Sequence, residues 1–156
     1  MENVEKLLVH PQFLTYMALN SDAEQERDFC KHDFSHLLDV ARVAYCMALE
    51  RNLAIPKETI YLTALLHDIA KWKQFTTGAD HAVEGSTLAK EILQDLNIEA
   101  DEICEAIGTH RKAHLVTTPL GQILYDSDKA VRPCIVCPHI DTCKNFRNGE
   151  NPKFTY

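Results

Sequence analysis

Apolar residues recur at helical spacing along most of this chain, and the stretches between them are polar or interrupted by proline and glycine. Residues 4–19 carry Val4, Leu7, Leu8, Phe13, Leu14, Met17 and Ala18. This predicts one or two short helices broken near Pro11, because proline removes a hydrogen bond from a helix interior. Asn20 to Glu26 is polar and reads as a connector, with Ser21 or Asp22 placed to cap a helix. Residues 33–51 form an amphipathic helix whose stripe is Phe34, Leu37, Leu38, Ala41, Ala44, Tyr45, Ala48 and Leu49, with His36 beside the stripe near its start. Asn52 to Pro56 connects, and Pro56 suits a first helical position.

Residues 57–71 differ in kind. Ile60, Tyr61, Leu62, Ala64, Leu65, Leu66, Ile69 and Ala70 point in most directions, as in a helix buried among others. After a loop at 76–80, residues 81–96 predict a helix with Ala82, Val83, Leu88, Ala89, Ile92, Leu93 and Leu96 as its core face. Residues 99–113 predict another, with Ile103, Ala106, Ile107 and His110 on one face. Thr117-Thr118-Pro119 reads as a helix start, followed by Leu120, Ile123, Leu124, Ser127 and Val131 at helical spacing. No stretch alternates convincingly as a strand. The expected architecture is all-α, a bundle of six or seven helices over 1–133, with an irregular cysteine-rich tail, 134–156, packed on it.

At 156 residues and 46% hydrophobic, the chain can build one core without staples. Its net charge of −7 argues against an extended nucleic-acid partner, which calls for a basic face. Residues 1–20 contain Glu2, Glu5, Lys6 and His10 and no long apolar run, so a secretory leader and a membrane span are not expected, and a cytoplasmic setting is. In that setting six cysteines read as thiols or metal ligands rather than disulfides.

The chemistry concentrates at His67-Asp68, at the end of the most apolar helical run. A buried carboxylate without a partner costs several kcal/mol, on the order of 5, so Asp68 needs one; a metal ion is one such partner, and a buried polar pair capping the helix is the alternative. Imidazole and carboxylate together suit a divalent ion such as Fe, Mn, Zn, Ni, Co or Mg. The negative end of the helix dipole favours a cation at the same place.

The order His36, His67-Asp68, Asp128 resembles the HD superfamily of metal-dependent phosphohydrolases. The phrases that carry the likeness are Phe34-Ser-His36-Leu-Leu-Asp-Val-Ala41, Leu65-Leu-His67-Asp68-Ile-Ala-Lys71 and Ile123-Leu-Tyr-Asp126-Ser-Asp128-Lys129, and it spans residues 30–132. The resemblance implies a helical bundle holding one or two divalent metals, with His36, His67, Asp68 and Asp128 as ligands of the main one. Asp128 is preferred to Asp126 because it directly precedes Lys129, as in the family's usual ending. His81 and His110 fall where relatives carry additional histidines for a second metal or for phosphate. Asp68 and Lys71 are the catalytic candidates by the same resemblance.

Lys71, Lys73, Arg111, Lys112, Lys129 and Arg132 flank the proposed ligands in an otherwise acidic chain, which suits a local funnel for phosphate or, equally, a solvated face. Of these, Arg111, Lys129 and Arg132 are assigned to the substrate phosphate. His114 reads as exposed or peripheral to the site, and His10 and His32 as surface residues. The tail adds Cys134-x-x-Cys137 and Cys143, spaced for a structural zinc or an iron–sulfur cluster, with His139, Cys104 or Cys30 as the fourth ligand; three reduced thiols are the alternative.

The expected function is hydrolysis of a nucleotide or other small phosphoester, with homo-oligomerisation compatible. The alternatives are hydrolysis of a dinucleoside polyphosphate, as some small HD proteins perform, and a non-catalytic metal or nucleotide sensor with a redox- or metal-responsive tail.

Overall fold

The computed structural model describes residues 1–143, 145–146 and 150–156, and among these described residues there are eight α-helices. These are α1 (Glu2–Leu8), α2 (Pro11–Ala23), α3 (Phe34–Glu50), α4 (Lys57–Leu66), α5 (Lys71–Thr77), α6 (His81–Asp95), α7 (Asp101–Thr109) and α8 (Pro119–Ala130). No strand occurs among the described residues. The fold is all-α, as the periodicity predicts. No described helix is long and apolar enough to cross a membrane.

Helix α4 is the hub. It packs against α1, α3, α7 and α8, and Ile60, Leu62, Ala64, Leu65 and Leu66 are all buried. Helix α3 meets α4 and α8 through Leu37, Val40, Ala41, Ala44 and Ala48. Its true buried face is rotated slightly from the expected stripe, so Phe34 and Leu49 at the two ends are exposed. Helices α6 and α7 form the opposing pair, and α7 closes the bundle onto α8.

Sequence devices fix the helix ends that matter. The Asp33 carboxylate accepts the His36 N–H (2.9 Å), which starts α3 and sets His36 on its first turn. The Thr118 hydroxyl accepts the Gly121 N–H ahead of α8, with Pro119 at its first position. Asn52 and Asn97 adopt left-handed φ values of 54° and 56° and end α3 and α6, where the Leu53 and Ile98 N–H groups return to the Ala48 and Leu93 carbonyls. Ser21 and Asp22 do not cap a following helix; they lie within α2, which runs on to Ala23.

The largest departure from expectation is at the hub. The helix predicted over 57–71 stops at Leu66, and residues 67–70 form a tight turn before α5 begins. Two residues of short reach close this turn, with Ile69 N–H on the Leu66 carbonyl and Lys71 N–H on the Asp68 carbonyl (3.0 Å). Asn20 of α2 clips it from outside. Its side-chain amide donates to the Asp68 carbonyl (2.9 Å) and its carbonyl accepts the Trp72 N–H (2.8 Å). Those two backbone groups are ones a continuous helix would have satisfied itself. Asn20, expected in a polar connector, is buried in a helix.

Candidate metal centre and its cavity

The turn at 67–70 aims His67 and Asp68 into one space, which adjacent residues of a regular helix could not both reach squarely. Asp68 is the centre of that space. Its Oδ2 lies 3.2 Å from His67 Nε2 and 3.9 Å from His36 Nε2. Asp128 Oδ1, from α8, lies 3.4 Å from His36 Nε2 and 4.0 Å from His67 Nε2. On the other side, Asp68 Oδ1 lies 3.0 Å from His81 Nε2 and 3.6 Å from His110 Nε2, and those two nitrogens are 3.3 Å apart. The structure therefore brings together His36, His67, Asp68 and Asp128 as one set of ligand atoms within 4.8 Å of one another, and Asp68, His81 and His110 as a second. Asp68 belongs to both.

Hydrogen bonds behind the rings choose which nitrogen faces inward. His67 Nδ1 donates to the Ala64 carbonyl and His110 Nδ1 to the Ile107 carbonyl, each at 2.6 Å. His81 Nδ1 bonds the Gln74 amide oxygen. With Nδ1 so engaged, each ring presents Nε2 to carboxylate oxygens, and offers a lone pair there whenever it is neutral. Acceptor facing acceptor is unfavourable unless a cation sits between them. His36 Nε2, His67 Nε2 and Asp68 Oδ1 are accordingly buried without an aligned hydrogen-bond partner. The donor set, two imidazoles and two carboxylates, fits a divalent ion of the borderline or hard type.

Proton affinities report the same demand. Burial alone would discharge His67, but the neighbouring Asp68 and Asp128 outweigh it and raise its pKa. Burial would raise Asp68; His67, Lys71 and His110 together hold it well below the usual carboxylate range. Asp128 is likewise held low, against burial, by His36, His67, Arg132 and Lys129. Burial pushes His81 down to about 4, aided by Lys71 and His110 and opposed by Asp68.

Gly85 of α6 makes the close approach of α6 to this turn feasible. A Cβ there would meet the His67 carbonyl oxygen at 3.3 Å and Ile107 Cγ2 at 3.5 Å. That contact brings His81, one turn earlier on α6, over Asp68.

A cavity of about 530 Å³ opens above Asp68. Lys71, Arg111, Lys129 and Arg132 line it, joined by Arg27, whose guanidinium lies over the Phe75 ring. Lys71 Nζ lies 3.7 Å from Asp68 Oδ1 and 3.3 Å from His81 Nε2. Lys129 and Arg132 both bond Asp128 Oδ2, the latter at 3.1 Å, and Arg111 pairs with Asp80 at 3.0 Å. The remaining basic candidates lie elsewhere: Lys73 pairs with Glu84 at 2.6 Å and Lys112 is exposed, as is His114. Asp126 pairs with Arg51 at 2.7 Å, leaving Asp128 as the aspartate of the site.

Two site residues were missed. His32 was expected on the surface; it is 8% exposed, lines the cavity, and places Nε2 3.8 Å from Asp68 Oδ2. Its partner is Glu24, at the end of α2, which is 3% exposed. Glu24 takes the His32 ring Nδ1–H on Oε1 and the His32 backbone N–H on Oε2 (2.7 Å). Burial pushes His32 down despite Glu24, and Glu24 is held low, against burial, by His32. The pair is thus a carboxylate with a neutral imidazole. His10 is also more covered than expected, capping α2 with its ring 12% exposed, but it does not line the cavity. Nothing in the local pattern marks Glu24, whose contact with His32 crosses an irregular loop.

Residues 33–132 match the model of the HD domain family. Over 159 aligned residues, covering all of both chains, the protein is 36% identical to an uncharacterized protein of Clostridium beijerinckii. Its fold is similar to the crystal structure of a predicted HD superfamily hydrolase from an uncultured Thermotogales bacterium, with a TM-score of 0.60 and 28% identity, covering 83% of this chain and 74% of that one. The chain belongs to the HD domain family, whose members bind divalent metals and act as metal-dependent phosphohydrolases. Glu24, Cys30, His32 and the cysteine tail lie outside the matched span.

Proposed function

We propose that this protein hydrolyses a small phosphoester, with nucleotides as the leading substrate class, at one or two divalent metals that share Asp68. The observation that carries this reading is the convergence of buried, unpartnered His36 Nε2, His67 Nε2 and Asp68 Oδ1 beneath a cavity rimmed by five cationic side chains. His36, His67, Asp68 and Asp128 would hold the first ion, and Asp68, His81 and His110 the second. A divalent ion so held lowers the pKa of a water to near neutrality and polarises a phosphoryl oxygen.

The chain's own groups do the rest. Lys71 and Arg132 approach the centre from two sides and bind phosphoryl oxygens, Arg132 through a fork that suits them. Arg27 and Arg111 extend the positive lining outward, which suits a substrate with more than one anionic group. Phe29 and Phe75 offer apolar surface on the same walls, as a base or other flat group requires. The cavity volume lies within the range of small-molecule pockets, about 300–1,000 Å³. His32 Nε2 is the proton acceptor: Glu24 fixes Nδ1 as the protonated nitrogen, and the neutral ring has a free lone pair toward Asp68. Water attacks phosphorus and gives a proton to His32 Nε2 as the ester P–O bond breaks; the leaving oxygen takes its proton from solvent, and the imidazolium of His32 returns its own to solvent.

The test is a phosphoester panel, including mononucleotides and dinucleoside polyphosphates, with the metal-loaded protein. Release of inorganic phosphate from a monophosphate is the expected result. Symmetrical nucleoside diphosphate products would instead assign the dinucleoside reading. Tight nucleotide binding without turnover across the panel would leave a sensor.

A further inference from the structure

The hydrolase site accounts for neither the loop before α3 nor its contact with the tail. Arg27 Nε donates to the Cys30 carbonyl at 2.9 Å, which holds that loop in shape. Phe29 packs on His139, with ring centroids 5.9 Å apart. His139 lies between Cys137 and Cys143, so this contact draws the cysteine-bearing part of the tail onto Cys30. Cys30 and Cys143 line the same cavity.

Within the tail, two 3-10 turns, Cys134–Val136 and Ile140–Thr142, fold the cysteines back on themselves. The Cys137 N–H reaches the Cys134 carbonyl (3.2 Å), and the Cys143 N–H reaches that of Ile140 (3.0 Å). Cys134 lies two residues after Arg132, which lines the same cavity as Cys30 and Cys143, and the Cys134 N–H bonds the Arg132 carbonyl at 2.7 Å. All four are free thiols. The other two candidates for a fourth partner drop out. Cys104 sits on α7, and neither it nor His139, which packs its ring on Phe29, lines the cavity that Cys30 and Cys143 share.

We infer that Cys30, Cys134, Cys137 and Cys143 form a four-thiolate site for an iron–sulfur cluster, placed at the rim of the active-site cavity. Four thiolates complete the usual ligand set of such a cluster. Zinc is the other ion that takes four thiolates, but at a Zn–S length of about 2.3 Å a tetrahedral site holds its sulfurs about 3.8 Å apart. Among the described residues, the ligand sets drawn within 4.8 Å are the two histidine–aspartate sets, and the thiols are not among them. A cluster core spaces its thiolates more widely. It would also join the α2–α3 loop to the tail, two segments far apart in sequence, and so fix the wall that carries Arg132.

The test is anaerobic purification of the full chain, with iron, acid-labile sulfide and the visible spectrum measured together. Iron with labile sulfide and an absorption bleached by dithionite is expected. Cys30→Ser and Cys134→Ser should each lower the sulfide content by about tenfold or more, while Cys104→Ser leaves it unchanged. Far-UV circular dichroism checks that the helices persist, and Cys30, exposed in a loop, is the milder substitution. Iron at the histidine–aspartate centre brings no sulfide, so Asp68→Ala should keep its labile sulfide. Three results would each overturn the assignment: zinc without sulfide, sulfide fully retained in Cys30→Ser, or no sulfide after anaerobic reconstitution with ferrous iron and sulfide.

Discussion

Glu24 and His32 show how much one buried pair can decide. A carboxylate that holds Nδ1–H leaves the opposite nitrogen as the one with the lone pair and fixes its direction. Replacing His32 by Ala should lower kcat by about 100-fold, the usual scale for a general base, while leaving metal content intact. Steady-state kinetics beside elemental analysis would check this. Equal loss of metal and activity would make His32 a ligand instead. His67 gives a second prediction. Its pKa is raised above 6.5 in the metal-free protein, so a metal must displace a proton to bind there. Affinity for the ion should therefore fall as pH drops through the raised His67 pKa and rise above it, with proton release measurable by calorimetry in buffers of different ionisation heat. At this scale the residues of the two histidine–aspartate clusters were legible, because His36, His67, Asp68, His81, His110 and Asp128 sit on or beside strongly periodic stretches. Glu24 and His32 were not, because their contact is made across a loop with no repeat to read.

Among the elements, the interruption between α4 and α5 matters most. The apolar pattern runs through it without a mark, from Ile60 to Ala70, so periodicity alone predicts one helix. The break is a tertiary event. Asn20 supplies from α2 the donor and the acceptor that a continuous helix would have supplied itself. Asn20→Ala should cost about 1–2 kcal/mol, since it removes the acceptor of the Trp72 N–H and one of the two donors to the buried Asp68 carbonyl. Its urea midpoint should fall accordingly, and metal affinity should weaken with it because the turn carries His67 and Asp68. A stability change with unaltered metal affinity would show that the turn holds without the clip. The other element boundaries were more legible: Asp33 and Thr118 are short-range signals whose partners lie three residues away, and Pro119 marks a first helical position by itself.

Across the whole molecule, an acidic chain concentrates positive charge at one mouth. Arg27, Lys71, Arg111, Lys129 and Arg132 come from four separate segments and meet only in the folded protein. The net charge of −7 therefore says little about the ligand, whereas the local field says a great deal. The cysteine tail was visible in the sequence as a set of spacings, but the choice of Cys30 over Cys104 or His139 depended on the loop packing of Phe29.

Asp68 is the ligand that every non-thiol metal in this protein would share. Manganese is the suitable probe, because carboxylate and imidazole suit it and thiolate does not. Isothermal titration of Mn²⁺ into the metal-free wild-type and Asp68→Ala proteins tests the claim directly. Binding to the wild type and loss of all specific binding in the variant, with the helices intact, is the expected result. Unchanged Mn²⁺ stoichiometry and affinity in Asp68→Ala would contradict it.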